Sequence, residues 1–129
     1  MRIGQDQPNP SGNGVMLENL ARLHILTAKD VYRDRALAIA QAFGGALDGG
    51  FGYGTLINAQ DLMMNAVRIV QTGDDPDLWR AIQSVNIPTR VLSRETKDGA
   101  QPGVYLCRGQ TCLPPVTDRQ ALETLLLGL

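Results

Sequence analysis

Up to Met64 the apolar residues of this chain recur at helical spacing; beyond it they gather in short β-branched runs divided by turn residues. That change of period restricts the fold more than any other feature. A helix buries a stripe and a strand buries alternate positions, so the pattern predicts a helical half, residues 1–64, and a small α/β half, residues 65–129. The 129 residues fit one domain, which at this size buries roughly two-thirds of the unfolded chain's surface and needs neither metal nor disulfide to hold a core.

In the first half, Ser11 and Asn13 stand before a segment, Val15 to Ala28, in which Met16, Leu20 and Leu23 mark one helical face. Glu18 and Arg22 form an i,i+4 pair on the other side. Asp30 suits the cap of a second helix, where Tyr32, Ala36, Ile39, Ala40 and Phe43 make a broad apolar stripe. The short TAKD connection predicts an antiparallel helical hairpin. FGGALDGGFGYG then places six glycines between Gly44 and Gly54, each costing ~1 kcal/mol relative to alanine inside a helix. The expectation is a loop there, followed by a short helix from about Tyr53 to Met64.

In the second half, Val67 to Thr72 reads as a strand, TGDDP as a turn, and DLWRAIQSV as a helix that opens with Pro76 and places Leu78, Ile82 and Val85 on one face. Arg90 to Ser93 is a second strand, which makes a βαβ unit with parallel neighbours. VYLCR is a third strand ending at Gly109. Thr117 and Gln120 have capping-box spacing, and Leu122, Leu125, Leu126 and Leu129 give a closing helix its apolar stripe. The expected architecture is α/β: an N-terminal antiparallel helical hairpin, then a small three-stranded sheet containing a βαβ unit, then a C-terminal helix.

Composition excludes several partners. A formal net charge of −1 with 19% charged residues offers no basic excess to hold a phosphate backbone, so no nucleic acid is expected. No apolar run approaches the ~20 residues of a membrane span, and MRIGQDQPNP is too polar for the core of a secretory signal, so the expected compartment is the cytoplasm, with no membrane partner.

YLCRGQTCLPPV holds both cysteines, Cys107 and Cys112. A thioredoxin-type couple places its nucleophilic thiol at a helix N-terminus with the second thiol on the first turn, whereas Cys107 ends a strand and Cys112 precedes Leu-Pro-Pro. A structural zinc site takes four ligands, and two cysteines with a distant His24 fall short unless a second chain contributes. The remaining readings are packed thiols, a disulfide closing a tight loop across Arg108 to Thr111, or a redox-sensitive pair, with a structural role placed first.

The other candidates carry less. His24 projects near Leu17, Leu20 and Ala28, with no nucleophile positioned beside it, and reads as a packed or edge histidine. GGFGYG lacks both the register and the preceding strand of a dinucleotide loop. The turn TGDDPD already carries Asp74, Asp75 and Asp77 at a helix N-terminus, where phosphate would be repelled. Trp79 reads as a core or interface aromatic, and paired glycosidase carboxylates have no clear candidates. No catalytic residue, metal or nucleotide cofactor is expected.

Four blocks, PSGNG at Pro10 to Gly14, RIVQTG at Arg68 to Gly73, IPTRVL at Ile87 to Leu92 and YLCRGQTCLPPVTD before a leucine-rich helix, resemble the C-terminal end of the spermatogenesis-associated, thioredoxin-domain-containing proteins. The terminal cysteine block is the most specific of them. The family combines a thioredoxin-like domain with a helical toroid similar to sugar epimerases and glycosidases. The resemblance implies the last hairpin of such a toroid plus the terminal α/β portion, and no catalytic residue of the family falls here. The glycine-rich 44–54 stretch departs from the proline-bearing connection of the family.

The reading of function is therefore a non-catalytic structural or interaction module, with an accessory component of a redox or carbohydrate-processing protein as the alternative. The hairpin's apolar stripe predicts self-association or binding to another protein chain through Tyr32, Ile39 and Phe43.

Overall fold

The computed structural model describes residues 4–47, 51–96 and 98–129, with side chains at 4–45 and from 51 onward. Nine elements follow one another among them: α1 (Gly12–Thr27), α2 (Asp30–Leu47), α3 (Gly54–Asn65), β1 (Val67–Thr72), α4 (Pro76–Ser84), β2 (Arg90–Glu95), β3 (Gly103–Arg108), β4 (Thr111–Cys112) and α5 (Arg119–Leu127). They form two compact units, Met1–Ala66 and Val67–Leu129.

In the helical unit, the Ser11 hydroxyl accepts from Gly14 N at 3.0 Å, so α1 starts three residues before the expected Val15. Ala28 ends it in the left-handed conformation at φ 55°. The expected face is displaced. Leu17, Leu20, Ala21 and Gly14 are buried, whereas Met16 is 52% and Leu23 40% exposed. Small residues explain the choice of phase, because a Cβ at Gly14 would lie 2.8 Å from Thr55 Cβ and 3.1 Å from Leu56 N. α1 therefore meets α3 at a point where no side chain fits.

On α2 the expected stripe faces inward: Ala36 and Phe43 are buried with Leu17, Leu20, Leu56 and Ala59, and Tyr32, Ile39 and Ala40 pack against them. The helix then continues through Gly44 and Gly45 to Leu47, contrary to the expected loop from 44. Phe43, seated in the core one residue earlier, anchors this end of the helix and offsets the glycines' low propensity. Residues 48–50 of the expected loop lie outside the described residues. Asp6 ties the unit together, its Oδ1 accepting from Ser11 N at 2.8 Å and its Oδ2 from Thr55 N at 2.9 Å. Tyr53 gives α3 no side-chain cap, so a carboxylate from before α1 supplies the acceptor for that helix start.

The α/β unit has the strand order β2-β1-β3-β4. β1 runs parallel to β2, Val67 opposite Arg90 and Thr72 opposite Glu95, and antiparallel to β3, Arg68 opposite Cys107 and Thr72 opposite Gly103. The fourth strand extends the expected three-stranded sheet. It is two residues long and pairs Cys107 with Cys112 after a two-residue turn whose first residue, Gly109, has φ 58°.

Strand alternation sorts the sheet into two faces. Val67, Ile69, Val104 and Leu106 face Leu78, Ala81 and Ile82 of α4 and Leu122 and Leu126 of α5, forming one core. Arg68, Val70, Thr72, Tyr105 and Cys107 occupy the far face by the same alternation. Pro76 opens α4, and Asp75 caps it by accepting from Asp77 N and Leu78 N. α5 is capped by Asp118, accepting from Ala121 N at 2.8 Å, rather than by Thr117. Both residues stand three before a helical N–H, and the carboxylate is the one in place.

Candidate functional site: a cysteine bridge in a cleft on the far face of the sheet

A cleft of about 380 Å³ lies on the far face, lined by residues of all four strands and by the loop at 98–100. Cys107 and Cys112 are among its lining residues. Their Sγ atoms are bonded at 2.00 Å, with Cα atoms 4.0 Å apart. The pairing follows from local chain geometry: Gly109 turns the chain, Arg108 meets Thr111, and the next pair outward is Cys107 and Cys112. Leu113 N donates to Leu106 O at 2.9 Å, and Val104 and Val116 exchange two bonds of 2.9 Å, so the pairing continues beyond the bridge on the side away from the turn.

The two ends of the bridge differ. Cys107 is 5% exposed, and Cys112 lies on an exposed edge. Across β1, Arg68 is the register partner of Cys107. Its Nη2 donates to Glu95, which also accepts from Ser93 Oγ at 3.2 Å. Among the described residues, its Nε is buried with no hydrogen-bond partner. Thr72 Oγ1 and Tyr105 OH both donate to Gln101 O, at 2.7 and 3.0 Å, and thereby fasten the end of the 98–100 loop to the sheet. The result is a walled recess containing a cation, a carboxylate and a sulfur pair.

The remaining candidates lie elsewhere. Phe43 is 9% exposed and belongs to the core of the helical unit, and Tyr32 and Ile39 are half-buried at the margin of that core. His24 is half-buried, its Nδ1 3.2 Å from Lys29 O, beside a recess of about 260 Å³ that Met63 and Met64 also line. Trp79 packs on the α/β core and carries the Arg94 guanidinium 4.2 Å over its ring. Among the described residues, no group of three or more His, Cys, Asp or Glu side chains is placed to hold a metal ion, and no helix is long and apolar enough to cross a membrane.

Arg68 and Glu95 are the site residues that sequence reasoning missed. Arg68 lies within the expected first strand, and Glu95 lies two residues beyond the expected second strand, which ended at Ser93. The available signal was register: a parallel β1–β2 pair beginning at Val67 and Arg90 puts Thr72 opposite Glu95, and an antiparallel β3 puts Arg68 opposite Cys107.

The chain is similar to spermatogenesis-associated protein 20 of Homo sapiens, with 25% identity over 151 aligned positions covering 98% of the chain and 19% of that protein. The chain thus spans about a fifth of the length of this curated relative. No family model matches the chain, and no solved structure does.

Proposed function

We propose that this chain is a structural and interaction module equivalent to the C-terminal part of a thioredoxin-domain and helical-toroid protein. The observation that carries this reading is the similarity to the human relative along 98% of the chain, which takes in both units rather than one motif. In such a protein the three-helix unit would pack against a further chain segment. Val31 and Leu37 on α2 are exposed beside half-buried Tyr32 and Ile39, and they supply apolar surface for that contact. The partner is then a second copy of this chain or a separate protein carrying the thioredoxin-like and toroid parts.

An accessory redox role is the second reading, and the sulfur pair in the cleft favours it. A cytoplasmic location belongs to the same proposal and makes a demand on that pair, since cytoplasmic thiol buffers keep most cysteines reduced.

Light scattering tests the first reading, on the chain alone and mixed with the human relative lacking its matched fifth. The expected result is a dimer or a stoichiometric complex that Leu37→Glu abolishes. A monodisperse monomer at tens of micromolar in both samples would overturn it.

A further inference from the structure

The bridge between Cys107 and Cys112 is open to attack from one side. Cys112, on the exposed edge strand, is the sulfur an incoming thiolate reaches, and the sulfur displaced belongs to buried Cys107. Displacement puts negative charge on Cys107, beside its register partner Arg68 in the same cleft. Arg68 commits Nη2 to Glu95 and holds a buried Nε that has no acceptor among the described residues. A buried cationic N–H with no acceptor is a costly arrangement that a new anion next to it relieves.

We infer that Cys107–Cys112 is a thiol–disulfide exchange site reduced by a dithiol, with Cys112 attacked, Cys107 the leaving thiolate, and Arg68 the positioning residue that stabilises it. In the first step a thiolate of the dithiol attacks Cys112 Sγ. A new S–S bond forms, and the electron pair of the old one departs with Cys107. In the second step the remaining thiol of the dithiol, having lost its proton, attacks its own partner sulfur and releases Cys112. The dithiol is oxidised to a disulfide, the protein bridge is reduced to two thiols, and the two protons lost by the dithiol end on the cysteines or in water.

The rest of the fold makes the step reversible. The Leu106–Leu113 bond and the Val104–Val116 bridge hold the hairpin closed without help from sulfur, so the reduced thiols stay opposite each other. The other titratable groups lining the cleft are Glu95, Asp98 and Tyr105, of which the two carboxyl groups oppose a thiolate nearby. Glu95 is the more important, because its ion pair occupies part of the Arg68 guanidinium. This inference holds whether or not the helical unit binds a partner.

The test uses the whole chain. Dithiothreitol at neutral pH is expected to open the bridge while the far-ultraviolet circular dichroism remains native. A brief pulse of glutathione followed by iodoacetamide identifies the sulfur attacked, because trypsin cuts after Arg108 and separates the two cysteines into different peptides. Glutathione is expected on Cys112 and the alkyl group on Cys107. Arg68→Met should slow opening by about 3- to 10-fold, the size of effect that a leaving thiol one to two pKa units less acidic produces. Glu95→Gln should accelerate it, and it carries the test alone if Arg68→Met fails to fold. A bridge that stays closed in native protein under conditions that open an unfolded control overturns the inference. So does glutathione on Cys107, or a Glu95→Gln variant that reacts no faster than the parent.

Discussion

The helical unit and the α/β unit differ in how one helix start is completed, although α1, like α4 and α5, has a local cap, the Ser11 hydroxyl on Gly14 N. In the α/β unit the caps are local: Asp75 serves residues two and three positions on, and Asp118 serves Ala121. Arg90, at the start of β2, donates to the carbonyls of Ile82 and Val85 and closes the end of α4. In the helical unit a single carboxylate, Asp6, reaches Ser11 nearby and Thr55 at a sequence separation of 49. Local caps let an element form before its neighbours arrive. A cap shared over that distance makes two helices depend on one segment, so the helical unit should yield more readily to changes outside its core.

The largest effect belongs to the core of the α/β unit. Ile82 is fully buried among Leu78, Ile69 and Leu122, and Ile82→Ala should cost about 2–5 kcal/mol through lost transfer energy and the cavity left behind. Trp79 is the only tryptophan of the chain and packs on this core, so the urea midpoint of its fluorescence reads the loss directly. A cost below about 1 kcal/mol would mean that the site collapses around the gap, and the unit would be looser than its burial indicates.

The sulfur bridge should matter less. It closes a loop whose ends lie 5 residues apart, and so short a loop removes little unfolded-state entropy, about 2 kcal/mol at most. The Cys107→Ser, Cys112→Ser double variant should fold with its Trp79 transition lowered by no more than that beyond the burial of the Cys107 thiol. Loss of the folded α/β unit in that variant would show that the hairpin needs its bond, and would remove the basis for reversible exchange.

Gly14 sets the helical unit apart from a design of side-chain packing alone. Alanine there gains roughly 1 kcal/mol of helix propensity but meets Thr55 at 2.8 Å, an overlap of the kind that costs about 1–3 kcal/mol. The net expectation is a modest loss of thermal stability by circular dichroism. Gly12→Ala is the control, because a Cβ at that position meets nothing within 4 Å. If both variants gain stability equally, α1 and α3 do not approach as closely as the backbone places them.

The same contrast explains what could be read from the residues. Pro76, the βαβ order and the inward stripe of α2 rest on short-range patterns, and the fold class was legible from them. The face of α1 was not, because Val15, Met16, Leu17, Leu20, Leu23, Ile25 and Leu26 surround that helix with apolar side chains and fit several phases. Gly14 and Ala21 decide the phase by letting a neighbour approach, a signal that only the neighbour's position reveals. β4 was within reach: two residues beginning with glycine between paired strands is a hairpin signature. The pairing of Arg68 with Cys107 required the register of β1 on β3 across an intervening helix and strand.

The smallest effect is expected at Asp6, and it has a sign that follows from its bonds. Donation from Thr55 N first and from Ser11 N second favours the charged form and holds the carboxyl below its ordinary value of 3.8. Above that value the carboxylate is charged in folded and unfolded chains alike, and its contribution to stability is fully present. As pH falls the unfolded chain takes up the proton first, and the contribution is lost as the folded group titrates in turn. Asp6→Asn does not titrate there, and its amide replaces one of the two acceptor oxygens with a donor that faces an N–H. The variant should therefore be less stable than the parent at neutral pH, with the gap beginning to narrow below about pH 4, where the unfolded parent's carboxyl takes up its proton, and narrowing until the folded group has followed. Thermal melts by circular dichroism at pH 7 and pH 3 measure both gaps. A gap of equal size at the two values would mean that Asp6 acts by its shape rather than its charge, and the long-range clamp that separates the helical unit from the α/β unit would then not be electrostatic.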